Sequence, residues 1–264
     1  MKIKKVVLLD FLNKVGLNNT MTHIAAIDMT PEGIIAGNKD DAVVTMYNGK
    51  IKINSISDYS PIGKIGIVDV KFMASIVSRL HEDIQMDIGK EGVLFKSDTR
   101  KILTALGDTD NLEVKNLPTA YKPDIKLKVS TSKLKEVLDD TAIFSDGSSN
   151  SAWIEFRMEK NAMKFIVGDS QRKEKMEDTL MCEYSGNEIS SKYSNVAMRN
   201  IIKVLTAKEV NVSFSNDAPL LIEEDTGSII GTYVIAPWVL PTEGEENKPE
   251  ETAEPIATKI EVVQ

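Results

Sequence analysis

The sequence predicts an α+β fold made of two similar domains, each an arrangement of antiparallel sheets with two short helices on one face. The first observation behind this is length: 264 residues suit two domains of ~100–150 residues better than one small core. The second is a polar strap, Asp110 to Asp124, which carries two prolines and turn-formers near the middle of the chain. The third is that both flanks of the strap follow one plan: helix, strands, helix, strands. The expected organisation is a domain over 1–110, a connector over 111–124, a second domain over 125–240 and an acidic, disordered tail over 241–264.

In chain order, Val6 to Val15 is apolar at helical spacings and stops at Gly16. Thr22 to Asp28 reads as a strand, with Pro31 and Gly33 placed for a turn. Gly33 to Asn38, Ala42 to Tyr47 and Lys50 to Ile56 continue as strands, the last two joined by Asn48-Gly49, a strong hairpin signal. Asp69 to Leu80 is a helix with Met73, Ile76, Val77 and Leu80 in one stripe and Asp69 as its cap. Asp83 to Ile88, Gly92 to Ser97 and Lys101 to Leu106 alternate as strands.

Beyond the strap, Ile125 to Val129 alternates, and Ser130-Thr-Ser132 opens a helix to about Phe144 with Leu134, Val137 and Leu138 inward. A polar loop, Ser145 to Ser151, leads to strands Ala152 to Met158, Met163 to Gly168 and Lys175 to Tyr184. Tyr193 to Thr206 is a periodic helix with Met198, Ile201, Ile202 and Leu205 on one side and Arg199 and Lys203 on the other. Glu209 to Ser215, Leu220 to Glu224 and Ser228 to Ile235 close the second half. Leu8 to Val15 thus corresponds to Lys133 to Asp140, and Val70 to Leu80 to Val196 to Leu205, an internal repeat of architecture with little identity.

Composition bounds function. Apolar residues make up 42% and charged residues 27%, the balance of a soluble globular protein. No apolar run approaches the ~18–20 residues that span a bilayer, so the expectation is an intracellular protein with no membrane role. Cys182, the single cysteine, forms no internal disulfide and reads as a small buried apolar residue. Net charge is −8, on its face unfavourable for nucleic acid. Seven acids and two lysines between Thr242 and Gln264 supply −5 of it, so the rest of the chain carries only −3.

Three stretches carry a resemblance: Ile125-Lys-Leu-Lys-Val-Ser-Thr-Ser-Lys-Leu134, Glu209-Val-Asn-Val-Ser-Phe-Ser-Asn-Asp-Ala-Pro-Leu-Leu-Ile-Glu-Glu224, and Ile230-Gly-Thr-Tyr-Val-Ile-Ala-Pro-Trp238. With them the chain resembles DNA sliding clamps of the proliferating cell nuclear antigen (PCNA) type, and is similar in plan to the clamps of T-even-like phages, over about Met1 to Val239. The resemblance implies a DNA polymerase processivity factor without catalytic residues, cofactor or metal: a ring, a homotrimer by family, with sheets outside and helices lining a hole for duplex DNA. Its implied partners are DNA, a polymerase, a clamp loader and other proteins bearing short clamp-binding motifs. Its implied place is the cytoplasm or nucleoid, or the host cytoplasm if the chain is viral.

Sliding requires long cations near phosphates and no base-specific contacts. The outward helix faces offer Lys14, Lys71, Arg79, Lys133, Lys135, Arg199 and Lys203; by spacing alone these are ordinary solvated faces, and the resemblance assigns them to DNA. An acidic exterior around a basic lining would favour threading. The resemblance also implies a partner pocket at Val43, Val44, Leu117, Pro118, Tyr121, Pro219, Val234, Ala236 and Pro237, with Trp238 at the rim. Val43 and Val44 fit a core role equally well, whereas Leu117-Pro118 in a polar strap fits a protein-binding spot. Subunit contacts are implied for the edge strands: Ile102, Leu103, Thr104 and Ala105 on one copy, Glu177, Thr179 and Met181 on the next.

An enzyme finds no constellation here. His23 and His81 are isolated, the Asp pairs read as turns or helix faces, and no glycine-rich phosphate loop is present. The Asp146-Gly-Ser-Ser149 loop reads as polar surface. The rival class is a non-catalytic scaffold with the same repeat and no DNA role.

Overall fold

The structure, a computed structural model, describes residues 1–40, 42, 44–109, 121–140, 152–169 and 175–238. The first half comprises β1 (Lys2–Lys4), α1 (Lys5–Val15), β2 (Ala25–Thr30), β3 (Gly33–Lys39), β4 (Thr45–Lys52), β5 (Ile56–Ser57), β6 (Gly63–Ile67), α2 (Val70–Ser78), β7 (Asp83–Gly89), β8 (Gly92–Ser97) and β9 (Arg100–Thr104). The second comprises β10 (Ile125–Ser130), α3 (Thr131–Asp140), β11 (Ala152–Glu159), β12 (Ala162–Asp169), β13 (Lys175–Met181), β14 (Ile189–Ser194), α4 (Asn195–Val204), β15 (Glu209–Phe214), β16 (Leu220–Asp225) and β17 (Ile229–Ile235). With the two-residue β5 set aside, both halves run strand, helix, four strands, helix, three strands. The internal repeat read from helix positions is therefore an element-by-element correspondence.

The sheets obey the same repeat. One has the order β5-β1-β7-β8-β9, another β13-β12-β11-β14, and the third joins the halves as β10-β15-β16-β17-β4-β3-β2-β6. The joint is the antiparallel pair β17 and β4, in register from Ile229 opposite Ile51 to Ile235 opposite Thr45. By position in the repeat, β9 is the equivalent of β17 and β13 the equivalent of β4. Among the described strands those two are left as sheet edges.

Each helix buries the stripe its spacing predicts. Leu8, Phe11, Leu12 and Val15 of α1, Met73, Ile76 and Val77 of α2, Leu134, Val137 and Leu138 of α3, and Met198, Ile201 and Ile202 of α4 are all buried. The helices pack in pairs, α1 with α2 and α3 with α4. Asp69 caps α2, its carboxylate accepting the Phe72 N–H at 2.8 Å, and Ser194 caps α4 through the Ala197 N–H at 3.3 Å. In the second half Phe156 meets Phe165, Tyr193 and Phe214 edge to face at 5.1, 5.6 and 6.1 Å between ring centroids.

Two expectations are corrected. Asn48-Gly49 does not turn: β4 runs through it, with Asn48 opposite Thr232 and Gly37 on its two neighbours. Tyr193 does not open the last helix but ends a strand, β14, that periodicity missed because its alternating residues are serines and a lysine. β1 and β6 also escaped notice, β1 being only three residues long and β6 glycine-containing. The stretch to Phe144 and the Asp146 loop lie outside the described residues.

Candidate nucleic-acid and partner interfaces

Among the cations assigned to the helix faces, Lys71 and Arg79 are exposed on or just after α2, and Lys203 is exposed on α4. Arg199, one turn before Lys203, is half-exposed. Lys135 of α3 lies across from them, and a groove of about 250 Å³ between α3 and α4 is lined by Lys135, Arg199 and Lys203 together with Leu138, Asp139 and Ile202. The structure thus brings three of the predicted cations to one place. Lys135 also donates to the Leu205 carbonyl at 3.1 Å, which ties its stem over the end of α4. Lys133 is more committed: its ammonium stands 3.1 Å from Asp178 on β13 and 3.4 Å from Glu136. The hydrogen bond from Lys133 to Asp178 raises the lysine pKa, outweighing the cost of desolvation, so this lysine is held charged against β13.

Lys14 does not belong to any exposed face. Its side chain is fully buried, between Asp10 and Glu224, with Thr206 as a third partner. Its residue type suggests an outward position, since a lysine is seldom fully buried, whereas its spacing three residues after the inward Phe11 puts it on the same face. What neither shows is the second half of the chain, which covers that side of α1.

Of the partner-pocket positions, Val43, Leu117 and Pro118 lie outside the described residues. Val44, Tyr121, Pro219, Ala236 and Pro237 are half-buried and Val234 is buried. Backbone bonds gather several of them at the end of β17. The Ala236 N–H donates to the Val44 carbonyl at 2.8 Å, Pro237 bridges to Tyr193, and the Trp238 N–H donates to the Lys192 carbonyl at 2.6 Å. The Tyr193 hydroxyl donates to the Ala218 carbonyl at 2.9 Å, fixing the turn that carries Pro219.

Beside Pro237 and Trp238 opens a cleft of about 640 Å³ that sequence reasoning did not find. Its charged wall is Glu155, Arg157, Lys192 and Asp217. Glu155 is buried and pairs with the Arg157 guanidinium at 2.6 Å; that hydrogen bond, against desolvation, raises the arginine further. Lys192 lies 4.4 Å from the ring centroid of Trp153, a cation–π contact. The signal for this cleft was alternation in β11, where Glu155 and Arg157 share a face with Trp153.

The implied subunit-contact residues sit on the two edges left free by the repeat. On β9, Leu103 is 55% exposed, and Ile102 and Thr104 are half-buried, with Ala105 exposed just beyond the strand. On β13, Glu177, Thr179 and Met181 all point out, Met181 at 74% exposure. Large apolar side chains on open edges are what an unmated interface displays.

Comparisons with known proteins agree with this architecture. Residues 116–238 match the family model described as the DNA polymerase III beta subunit, C-terminal domain. No curated sequence matches the chain. Among solved structures, PCNA of A. fulgidus, in a structure with the C-terminal region of FEN-1 bound, is 15% identical with a TM-score of 0.77, covering 91% of this chain and 98% of that one. PCNA of Entamoeba histolytica gives 15% and 0.77 over 90% and 98%, and PCNA of Thermococcus kodakaraensis 18% and 0.73 over 90% and 99%. At such low identity the likeness is one of fold, and it extends over nearly the whole of each neighbour.

Proposed function

We infer that this chain, which has the fold of the PCNA-type sliding clamps, is a DNA polymerase processivity factor: a non-catalytic ring that encircles duplex DNA and tethers the proteins that work on it. The observation that carries the inference is the pair of free edges. Within the chain β17 pairs with β4; β9 and β13, their equivalents in the repeat, have no such partner among the described strands. A second copy supplies it. The β9 edge of one copy takes the β13 edge of the next, repeating between chains the joint already made within one, and a head-to-tail contact of this kind forms a ring when its rotation closes. Lys101 on β9 and Glu177 on β13 give the two edges opposite charge.

Duplex DNA is the occupant that suits the hole: the α3–α4 groove offers Lys135, Arg199 and Lys203 as long, exchangeable phosphate contacts, with Lys71 of α2 and Arg79 just after it adding to them. The surface around Val44, Tyr121, Pro219, Ala236 and Pro237 suits short segments of a polymerase and other DNA-processing proteins, and supporting this is the A. fulgidus PCNA solved with a FEN-1 C-terminal region bound. A closed ring of three copies, opened by a loader inside the cell, is the simplest assembly with these parts. The test is topological. Protein loaded on nicked circular duplex should stay through gel filtration and leave when the circle is linearised; retention on linear duplex, or none on the circle, overturns the reading and favours a scaffold without a DNA role.

A further inference from the structure

Among the described residues the halves of the chain meet in two layers. In the sheet layer the joint is the β4–β17 ladder. In the helix layer it is a buried polar cluster centred on Lys14. The Lys14 ammonium donates to both Asp10 carboxylate oxygens at 2.9 Å and to Thr206 Oγ1 at 2.7 Å, and stands 3.1 Å from Glu224 Oε1. Asp10 shares α1 with it, whereas Thr206 follows α4 and Glu224 is on β16, so the bonds cross the seam. Thr206 Oγ1 in turn donates to Asp10 Oδ2 at 3.1 Å, its backbone N–H donates to Glu224 Oε2 at 3.3 Å, and the Tyr233 hydroxyl donates to Glu224 Oε1 at 3.1 Å. Lys14 and Glu224 are both wholly buried.

We propose that this cluster is a brace that sets the angle between the two halves. A single strand ladder permits bending about its own axis, because hydrogen bonds between strands tolerate a range of twist. A second attachment displaced from the sheet removes that freedom. Its polar nature fits a brace, because a buried ion pair adds little stability over an apolar contact of equal volume, yet its directional bonds are satisfied in one geometry only. The brace belongs to one chain and does not depend on the proposed ring; if that ring forms, the brace also sets its curvature.

The angle itself can be measured. Spin labels are placed at Ser78→Cys on α2 and Glu136→Cys on α3, in a Cys182→Ser background, with labelled chain diluted in excess unlabelled chain so that only distances within one chain are read. The parent should give a narrow distance distribution. In the matched variant Asp10→Asn/Lys14→Met/Glu224→Gln, which leaves no buried charge uncompensated, the distribution should broaden and shift while cooperative melting is retained. Glu224→Gln alone, which spares the Lys14–Asp10 pair within α1 and removes the charge from the Lys14–Glu224 crossing while changing the acceptor of the Thr206 N–H and the Tyr233 hydroxyl, should broaden it in the same direction and keeps the measurement readable if the triple variant does not fold. Distributions in both folded variants, or in Glu224→Gln alone, that overlay the parent overturn the proposal and leave the cluster as a satisfied buried pair.

Discussion

Tyr47 spreads its ring over Gly49, two residues along the same face of β4. A Cβ built on Gly49 would overlap the Tyr47 phenol, and one on Gly231, directly opposite on β17, would stand 3.0 Å from Tyr47 Cε2. The ring is wholly buried and meets Tyr233 at 4.8 Å between centroids. The two glycines are therefore the floor under an aromatic pair at the seam between the halves. Burial, and after it the nearby Glu224 and Asp10 carboxylates, holds the Tyr47 phenol well above its ordinary range, so it remains neutral.

Gly49→Ala should consequently destabilise the protein, although glycine in a strand interior is ordinarily the weaker choice. The added methyl has to displace a locked ring, an overpacking cost of about 1–3 kcal/mol. Urea unfolding measures it. Combining Gly49→Ala with Tyr47→Leu should give less loss than the sum of the single changes, because the smaller side chain vacates the contested space. Strict additivity would show that the ring and the methyl do not compete.

Lys14→Met should cost about 3–5 kcal/mol of folding stability, since it strands the buried Glu224 carboxylate. Lys71→Met, on an exposed helix face, should change stability by no more than about 0.5 kcal/mol. If the two variants melt alike, Lys14 is solvated in solution and the seam is not closed as described.

Leu103→Glu on the β9 edge should weaken assembly by at least about tenfold in concentration, equivalent to about 1.4 kcal/mol. Ile230→Glu, an exposed apolar position on β17 away from the free edges, serves as control and should leave the assembled mass unchanged. Light scattering across a dilution series reads both. Equal behaviour of the two would place the contact elsewhere.

Arg199→Ala with Lys203→Ala should shorten polymerase products without lowering oligomer mass, and should reduce the salt dependence of DNA retention, because phosphate contacts are lost. Unchanged product length would remove the α4 face from the DNA path.

Lys52 and Asp225 form an exposed pair at 2.8 Å across the same seam. The Lys52 hydrogen bond, followed by the Gly227 N–H, lowers the Asp225 pKa. A lowered carboxyl pKa contributes stability that is complete above the unfolded carboxylate value, near ~3.9, and is lost as pH falls through the folded one. Solvent screens the pair, so Lys52→Met should cost at most about 1 kcal/mol near neutral pH, and the gap from the parent should close below about pH 4. A gap that persists unchanged into acid would mean the lysine acts through its alkyl chain.

Much of this fold was legible in the sequence because helices and hairpins are local. Asp69 and the stripe Met73, Ile76, Val77 and Leu80 specify α2 within one window, and the same holds for α4. The cations of α4 were legible for that reason too. The elements that escaped are those whose role is set by residues far away in sequence: Ser190 and Lys192 make a strand because β11 is beside them, and Lys192 meets Trp153 only through that pairing.

By itself the sequence determined two matching α+β halves, the inward stripe of each helix and the resemblance to sliding clamps, since periodicity, capping and motif are properties of neighbouring residues. Only the tertiary structure decided that Asn48-Gly49 lies mid-strand and that Lys14 is a buried link across the seam. Both outcomes come from contacts between residues far apart in sequence, Gly49 with Gly231 and Lys14 with Glu224. The desolvation and packing terms that govern such contacts exist only once the halves have met.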